Sequence, residues 1–347
     1  MLMQRFSRGV RPRGRKGTAL IAGTVAAACA AIGLIPSTAG TAVASSANVT
    51  RASQAAKPLS LWFVDGFGSI PSWERVERQF KQDATGLGDK ATVASIPTAN
   101  AATMVSDMDQ AIAAHANGLL FCDIDPSEFK AEIAKARAAG IVVVTIGCVD
   151  NLSNFSIGTD NVAYGRFAAD VVGKALHGSG EIGFDGSTRT APNQILQVKG
   201  FKEEAAAKYP GLKVVAWEQG EGVPATDATV ITAMAEANPA LKAIVCISST
   251  CPEGAPAGLT GAGKKPGQIF VLGIDHETPT IAAIKKGWVS ETIAQCWFDS
   301  ASLAVGLMQG ALTGHTGMKQ SWATPVQVVS AKQLPYSGCP ASMIPKP

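Results

Sequence analysis

Histidine is almost missing from this chain: His115, His177, His276 and His315 are the only four in 347 residues. With so few imidazoles, and with cysteine spacings unlike those of zinc ligands, no metal site is expected. His276-Glu277 lacks the second histidine of a zinc-protease helix. No Gly-x-Gly-x-x-Gly follows the first apolar run, so the dinucleotide fingerprint is absent. No Gly-x-Ser-x-Gly occurs, so the hydrolase nucleophile elbow is absent. Gly258–Lys265 stops one residue short of a phosphate loop, because Lys265 stands where the magnesium-binding Ser or Thr belongs. That segment precedes an apolar run instead of following one, and reads as a helix C-terminal turn broken by glycine. Paired acids such as Asp123 and Asp125 suit acid–base chemistry, but acids at strand ends more often cap helices or bind ligands. Neither a cofactor nor catalysis is expected.

Acidic residues are missing from the N-terminal stretch. Arg5, Arg8, Arg11, Arg13, Arg15 and Lys16 lead into an apolar run, Thr18 to Ile35, and then into Ala42-Val43-Ala44. That order reads as a secretory signal over residues 1–44, and the protein is expected to be exported, to the periplasm or the cell surface. Two alternatives stand beside cleavage. An uncleaved anchor is disfavoured because the run is rich in Ala and Gly. Lipidation at Cys29 is disfavoured because Ala26-Ala27-Ala28 lacks the usual Leu. Without residues 1–44, 24 of the 30 basic residues face all 27 acidic ones. The basicity therefore belongs to the leader, and no nucleic-acid footprint remains. Residues 45–57 read as a polar tether. The remaining length exceeds what one core usually serves, so two lobes are expected.

Short apolar runs alternate with amphipathic stretches from Leu59 onward. Strands are predicted at Leu59–Val64, Thr92–Ile96, Gly118–Ile124 and Ile141–Gly147, with helices at Pro71–Thr85, Ala101–Ala116 and Ser127–Ala139. The rhythm restarts after Asn154–Gly158, with strands at Glu181–Asp185, Lys213–Glu218, Ala243–Ser248, Gln268–Ile274 and Val289–Ala294. Phe298–Leu312 reads as a helix and Pro325–Val329 as a last strand. Continuous β-branched runs suit strands buried on both faces, and the β-α repeat builds parallel sheets. Ligands bind beyond the carboxyl ends of such strands. Asp65, Asp123, Asp125, Asp185, Ser187, Ser248, Ser249 and Asp275 stand there. Trp73, in the first turn of the first helix, is placed to stack on a ligand.

Leu272–Pro279, then Ala283–Gly287, then Glu291–Gln295 form an ordered set that resembles the ribose-binding type of periplasmic sugar-binding protein. Gly158-Thr159-Asp160-Asn161 and the Asn-Pro-Ala at Asn238 fit the same family. The resemblance covers Leu59 to Leu312. It implies a type I periplasmic binding protein: two α/β, Rossmann-like lobes with parallel sheets, joined by a three-segment hinge. It places residues 58–158 with 296–322 in the N-terminal lobe, and 159–295 with 323–347 in the other. It implies ligand contacts from Phe67, Trp73, Asp123, Cys148, Gln194, Ser248, Asp275 and Gln295. Asp275 would accept from ligand hydroxyls, Gln295 would serve at the hinge, and Trp73 would cover an apolar sugar face. The family's Asp-Arg clamp is replaced by Gly147-Cys148. Its second-lobe arginine maps near Ile195, with Arg189 and Gln194 close by. Its second-lobe aromatic maps near Gly222, with Trp217 several residues off.

The implied function is solute binding for an ABC permease, by a monomer that closes on a sugar, polyol or related metabolite. The alternatives are a sensor that presents the closed form to a receptor, or an exported enzyme acting on small carbohydrates. Six cysteines outside the leader allow fifteen pairings. On this fold Cys122 and Cys148 end neighbouring strands, and adjacent strands about 4.8 Å apart lie within disulfide range. Cys246–Cys251 would close a short loop, and Cys296–Cys339 would tie the C-terminal tail to the third hinge crossing.

Overall fold

The computed structural model describes residues 57–97, 100–122, 126–147, 151–340 and 342–343; at residues 122, 126 and 127 only the backbone is described. Residues 1–56 lie outside these, and with them the expected leader, Cys29 and almost the whole tether.

Four apolar runs become parallel strands: β1 (Ser60–Asp65), β2 (Lys90–Ser95), β3 (Gly118–Cys122) and β4 (Val142–Gly147). Between them run α1 (Pro71–Gly86), α2 (Ala101–Ala113) and α3 (Lys130–Ala138). Pro71 opens α1, where its missing N–H costs nothing. Asn100 caps α2 by accepting the Thr103 N–H at 3.0 Å. The chain then adds β5 (Phe155–Gly158) and crosses to α4 (Asn161–Ala175), capped by Asp160, which accepts the Ala163 N–H at 3.0 Å.

The second half repeats the pattern. It runs β6 (Ser179–Gly186), α5 (Pro192–Lys208), β7 (Gly211–Gln219), α6 (Pro224–Ala237), β8 (Leu241–Cys246), α7 (Cys251–Gly261), β9 (Phe270–Ile274), α8 (Thr278–Lys285) and β10 (Glu291–Gln295). It returns through a 3₁₀ turn, Cys296–Asp299, to α9 (Ala301–Leu312), β11 (Ser321–Ala323) and β12 (Val326–Ser330). The helix expected over Phe298–Leu312 thus begins with part of a separate 3₁₀ turn, and β11 has too few residues to show a period.

The two six-stranded sheets share one order. The first is β11-β5-β4-β3-β1-β2 and the second β12-β10-β9-β8-β6-β7. All pairs are parallel except β10 with β12. This is the doubly wound order in which the first strand of each half pairs on both sides, so its carboxyl end opens a crevice. The chain passes between sheets after β5, after β10 and after β11. All described residues belong to one compact unit, Ala55–Pro347. Two apolar clusters cover the faces of the first sheet, around Phe63–Phe80 and Phe121–Phe129; a larger one surrounds Phe184–Phe201 in the second. Helices α4 and α5 meet through glycine: a Cβ on Gly165 would stand 2.0 Å from the Gln197 carbonyl oxygen, and one on Gly200 2.1 Å from that of Val162.

Candidate functional site

The strand ends of the first sheet carry one acid and a block of rings. Asp65, the last residue of β1, is buried and accepts the Phe67 N–H at 2.8 Å. Burial pushes its carboxyl up to about 7, with Glu77 adding to the rise. Phe67 stacks on Trp73 at 5.4 Å, and Trp73 meets Trp297 at 4.8 Å and Phe298 at 5.9 Å. Trp297 in turn stacks on Phe298 at 3.6 Å. Trp73 and Trp297 are only 5% and 6% exposed, so this wall is already packed, ring on ring. Gly147, at φ +90°, ends β4 beneath it; a Cβ there would stand 3.4 Å from the tips of both indoles. The rings thus occupy the space beside Gly147. Asp123, Asp125 and Cys148 lie outside the described residues, and with them the Cys122–Cys148 pairing.

The second sheet brings Asp275 and Gln295 together. Asp275 follows β9 at φ +63°, a left-handed backbone that Asp tolerates better than most residues. Its N–H donates to the Ile293 carbonyl at 2.9 Å, and its own carbonyl accepts the Thr292 hydroxyl at 2.6 Å. These bonds pin the turn against β10. Gln295, at the end of β10, donates its amide to Asp275 Oδ1 at 2.8 Å. Burial raises the Asp275 carboxyl to about 7, and the Gln295 bond opposes that rise. Glu277, also buried, stands at the N-cap of α8.

Gln194 is buried in the first turn of α5. It donates to Ser187 Oγ at 2.7 Å and closes over Gly186, where a Cβ would meet its Oε1 at 2.5 Å. Ser248, two residues beyond β8, shares a 2.9 Å hydrogen bond with the Thr250 hydroxyl. Gly186 also lies against Ile247, so Gln194 and Ser248 flank neighbouring strand ends. Arg189 takes no part in that group: its guanidinium lies 5.9 Å from the Trp217 ring centre and 4.0 Å from Glu218, in an exposed position.

Three features of this region were missed in the sequence. The ring partners Trp297 and Phe298 lie just after Gln295, at the crossing that follows β10, and that adjacency was the available signal. Asp185 and Asp227 form a fully buried acid pair at the ends of β6 and the start of α6. Burial raises both, and the charge of Asp227 keeps a proton on Asp185. Thirdly, Arg75 on α1 reaches His276 beyond β9, Nη2 to Nε2, at 3.0 Å, and pairs with Asp299 at 3.3 Å.

Two disulfides form, Cys246–Cys251 and Cys296–Cys339. The second ties the tail to the crossing after β10. That crossing is the second of three in chain order, which corrects the expectation of the third. Among the described residues, no cluster of three His, Cys, Asp or Glu could hold a metal ion, and no helix is long and apolar enough to cross a membrane.

A family model described as a periplasmic binding protein domain matches residues 63–316. The D-ribose/D-allose-binding protein of Pseudomonas aeruginosa is 25% identical over 73% of this chain and 79% of its own length. The D-allose-binding periplasmic protein of Escherichia coli is 24% identical over 70% and 81%. A solute-binding protein of an ABC transporter from Burkholderia graminis, solved with D-arabinose, is 25% identical, covers 82% of this chain and 99% of its own, and superposes with a TM-score of 0.75.

Proposed function

Because the chain belongs to the periplasmic binding protein family, whose model spans residues 63–316, we propose that it is an extracytoplasmic solute-binding protein of an ABC importer. It binds a sugar or similar small polar metabolite between its two lobes and closes on it about the three crossings. It delivers the ligand unchanged to a membrane permease, without catalysis.

The observation that carries this reading is the Asp275–Gln295 pair. Both side chains end neighbouring strands of the second sheet, one of them at a crossing into the first lobe. A buried carboxyl and an amide offer both acceptor and donor capacity to ligand hydroxyls that closure strips of water. Gln194 and Ser248 add further polar groups on the same sheet. Phe67, with Trp73 behind it, presents an aromatic face from the other lobe, suited to the C–H face of a sugar ring. Differential contact with both lobes is what favours the closed state.

A thermal-shift screen tests this, with D-ribose, D-allose, D-arabinose, other aldoses and polyols on the purified chain. At a hundredfold excess over the dissociation constant, a true ligand adds about 2.7 kcal/mol of stability. Failure of every sugar and polyol to raise the melting temperature would overturn the reading. Conversion of a bound sugar to a product would favour an exported enzyme instead.

A further inference from the structure

Arg75 and His276 join the two halves of the fold, with His276 next in the chain to Asp275. Arg75 belongs to α1, beside the first sheet; His276 belongs to the turn after β9, in the second. The 3.0 Å contact between them is part of a longer chain of bonds. Asp299 pairs with the same guanidinium at 3.3 Å and accepts the Cys339 N–H at 3.0 Å. Cys339 is bonded to Cys296 at the crossing. Phe298 and Tyr336 meet the imidazole edge-on at 6.1 and 5.1 Å. A guanidinium has donors only. His276 Nε2 must therefore be the acceptor, which requires a neutral ring with its proton on Nδ1. Burial, and then Arg75, lower the imidazole pKa from 6.5 to about 4.

We propose that Arg75 and His276 form an interlobe latch that engages only while His276 is neutral, so that acidification loosens lobe closure and releases the ligand. The latch rests on the reading of this chain as a hinged binding protein. The charges around the ring do not rescue a protonated histidine. From α1 comes Arg75 itself. From the turn before α9 comes Asp299, already shared between Arg75 and the Cys339 N–H. From the tail comes Tyr336, whose hydroxyl is pushed up to about 12 and stays neutral. From the ring's own turn come Glu277, buried at the α8 N-cap, and Asp275, whose carboxyl titrates near 7 and so is largely neutral where His276 would protonate. A proton on His276 would set two cations about 3 Å apart, a repulsion that the partly exposed Arg75 leaves only partly screened. The latched state binds fewer protons than the unlatched one. Its share therefore rises with pH between about 4 and about 6.5, and falls as the solution is acidified through that interval.

The test is small-angle X-ray scattering on the purified chain without ligand, from about pH 7.5 down to about pH 4.5, with far-UV circular dichroism at each step. The wild type is expected to expand as pH falls while its dichroism holds. His276→Gln keeps an acceptor for Arg75 without a titrating proton, and is expected to stay compact throughout. His276→Lys is expected to be expanded already at neutral pH, an arm that needs no acid. For the sugar giving the largest thermal shift, the dissociation constant is expected to rise toward pH 5 in both proteins as Asp275 protonates, and about tenfold further in the wild type than in His276→Gln. A His276→Gln protein that expands with the wild type, or a His276→Lys protein as compact as wild type at neutral pH, overturns the latch. The two readings fail separately. Expansion without any sugar binding keeps the latch and removes the sugar; sugar binding by a protein that stays compact at every pH does the reverse.

Discussion

The Gln295 side chain donates to the Asp275 carboxyl at 2.8 Å, linking the ends of β10 and β9 where the chain leaves the second sheet. On the proposed function, a ligand entering between the lobes would meet this pair as one preformed polar edge. Asp275 holds its left-handed backbone through two bonds to β10. Substitutions there separate binding from folding. Asp275→Asn tolerates the same backbone and is expected to melt close to wild type while binding its sugar at least about tenfold more weakly, since hydrogen bonds to charged groups contribute about 1.5–3 kcal/mol. Asp275→Ile is expected to lose about 1–2 kcal/mol of stability as well, because a β-branched residue resists positive φ. Calorimetric titration beside thermal melting reads both effects.

Gly165 and Gly200 let α4 and α5 touch backbone to backbone. Alanine at either site would have to push the helices apart. Each variant is expected to lose about 3 kcal/mol by denaturant unfolding, the upper range for overpacking. Gly86, at the end of α1, has open space around it, so Gly86→Ala is expected to gain a few tenths of a kcal/mol up to about 1. If all three behaved alike, close packing would not be the cause.

The buried acids set a pH dependence of stability. Asp185 and Asp227 titrate above their unfolded range in the native state, as do Asp65 and Asp275, raised to about 7. The native state then holds protons that the unfolded chain releases near pH 4. Their contribution is complete below that pH and is lost as pH rises toward about 8. His276 acts in the opposite sense between about 4 and 6.5, where stability grows with pH. Asp185→Asn keeps a donor for Asp227 but has no proton to lose. Its melting temperature is expected to exceed wild type above about pH 8 and to match it near pH 5.

The two disulfides close loops of different length. Their cysteines are separated by 43 residues for Cys296–Cys339 and by 5 for Cys246–Cys251. Chain entropy alone assigns about 4 kcal/mol to the longer loop and about 2 to the shorter. The double variant Cys296→Ala/Cys339→Ala is therefore expected to melt well below Cys246→Ala/Cys251→Ala. Peptide mapping without reduction should recover both linkages. A Cys122–Cys148 linkage in the same map would establish the pairing expected between the ends of β3 and β4.

The doubly wound rhythm and the strand-end position of Asp275 were legible because they rest on local rules, whereas the crossings and Gln295 were expected from the family resemblance. Val142, Val143 and Val144 are buried and β-branched in a row, which only a strand covered on both faces accommodates. Pro71, Pro192 and Pro224 open helices where no N–H is needed. Such preferences belong to a few consecutive residues and survive without the rest of the fold. Strand β11 escaped because its three residues form a strand only by lying against β5.

By itself, then, the sequence determined the order and type of nearly every element, the doubling of the fold, and the strand ends where polar groups collect. Tertiary structure alone decided which of those groups meet. Arg75 and His276 are 201 residues apart in the chain, and nothing local to either announces the other. Asp185 and Asp227 become neighbouring buried acids only because a parallel crossover lays the start of α6 beside the end of β6. Trp73 becomes part of a packed aromatic wall only because the return from β10 brings Trp297 and Phe298 onto it. Local backbone preference acts over one turn of helix or one strand, whereas burial and charge act through space, between segments that only the folded chain brings together.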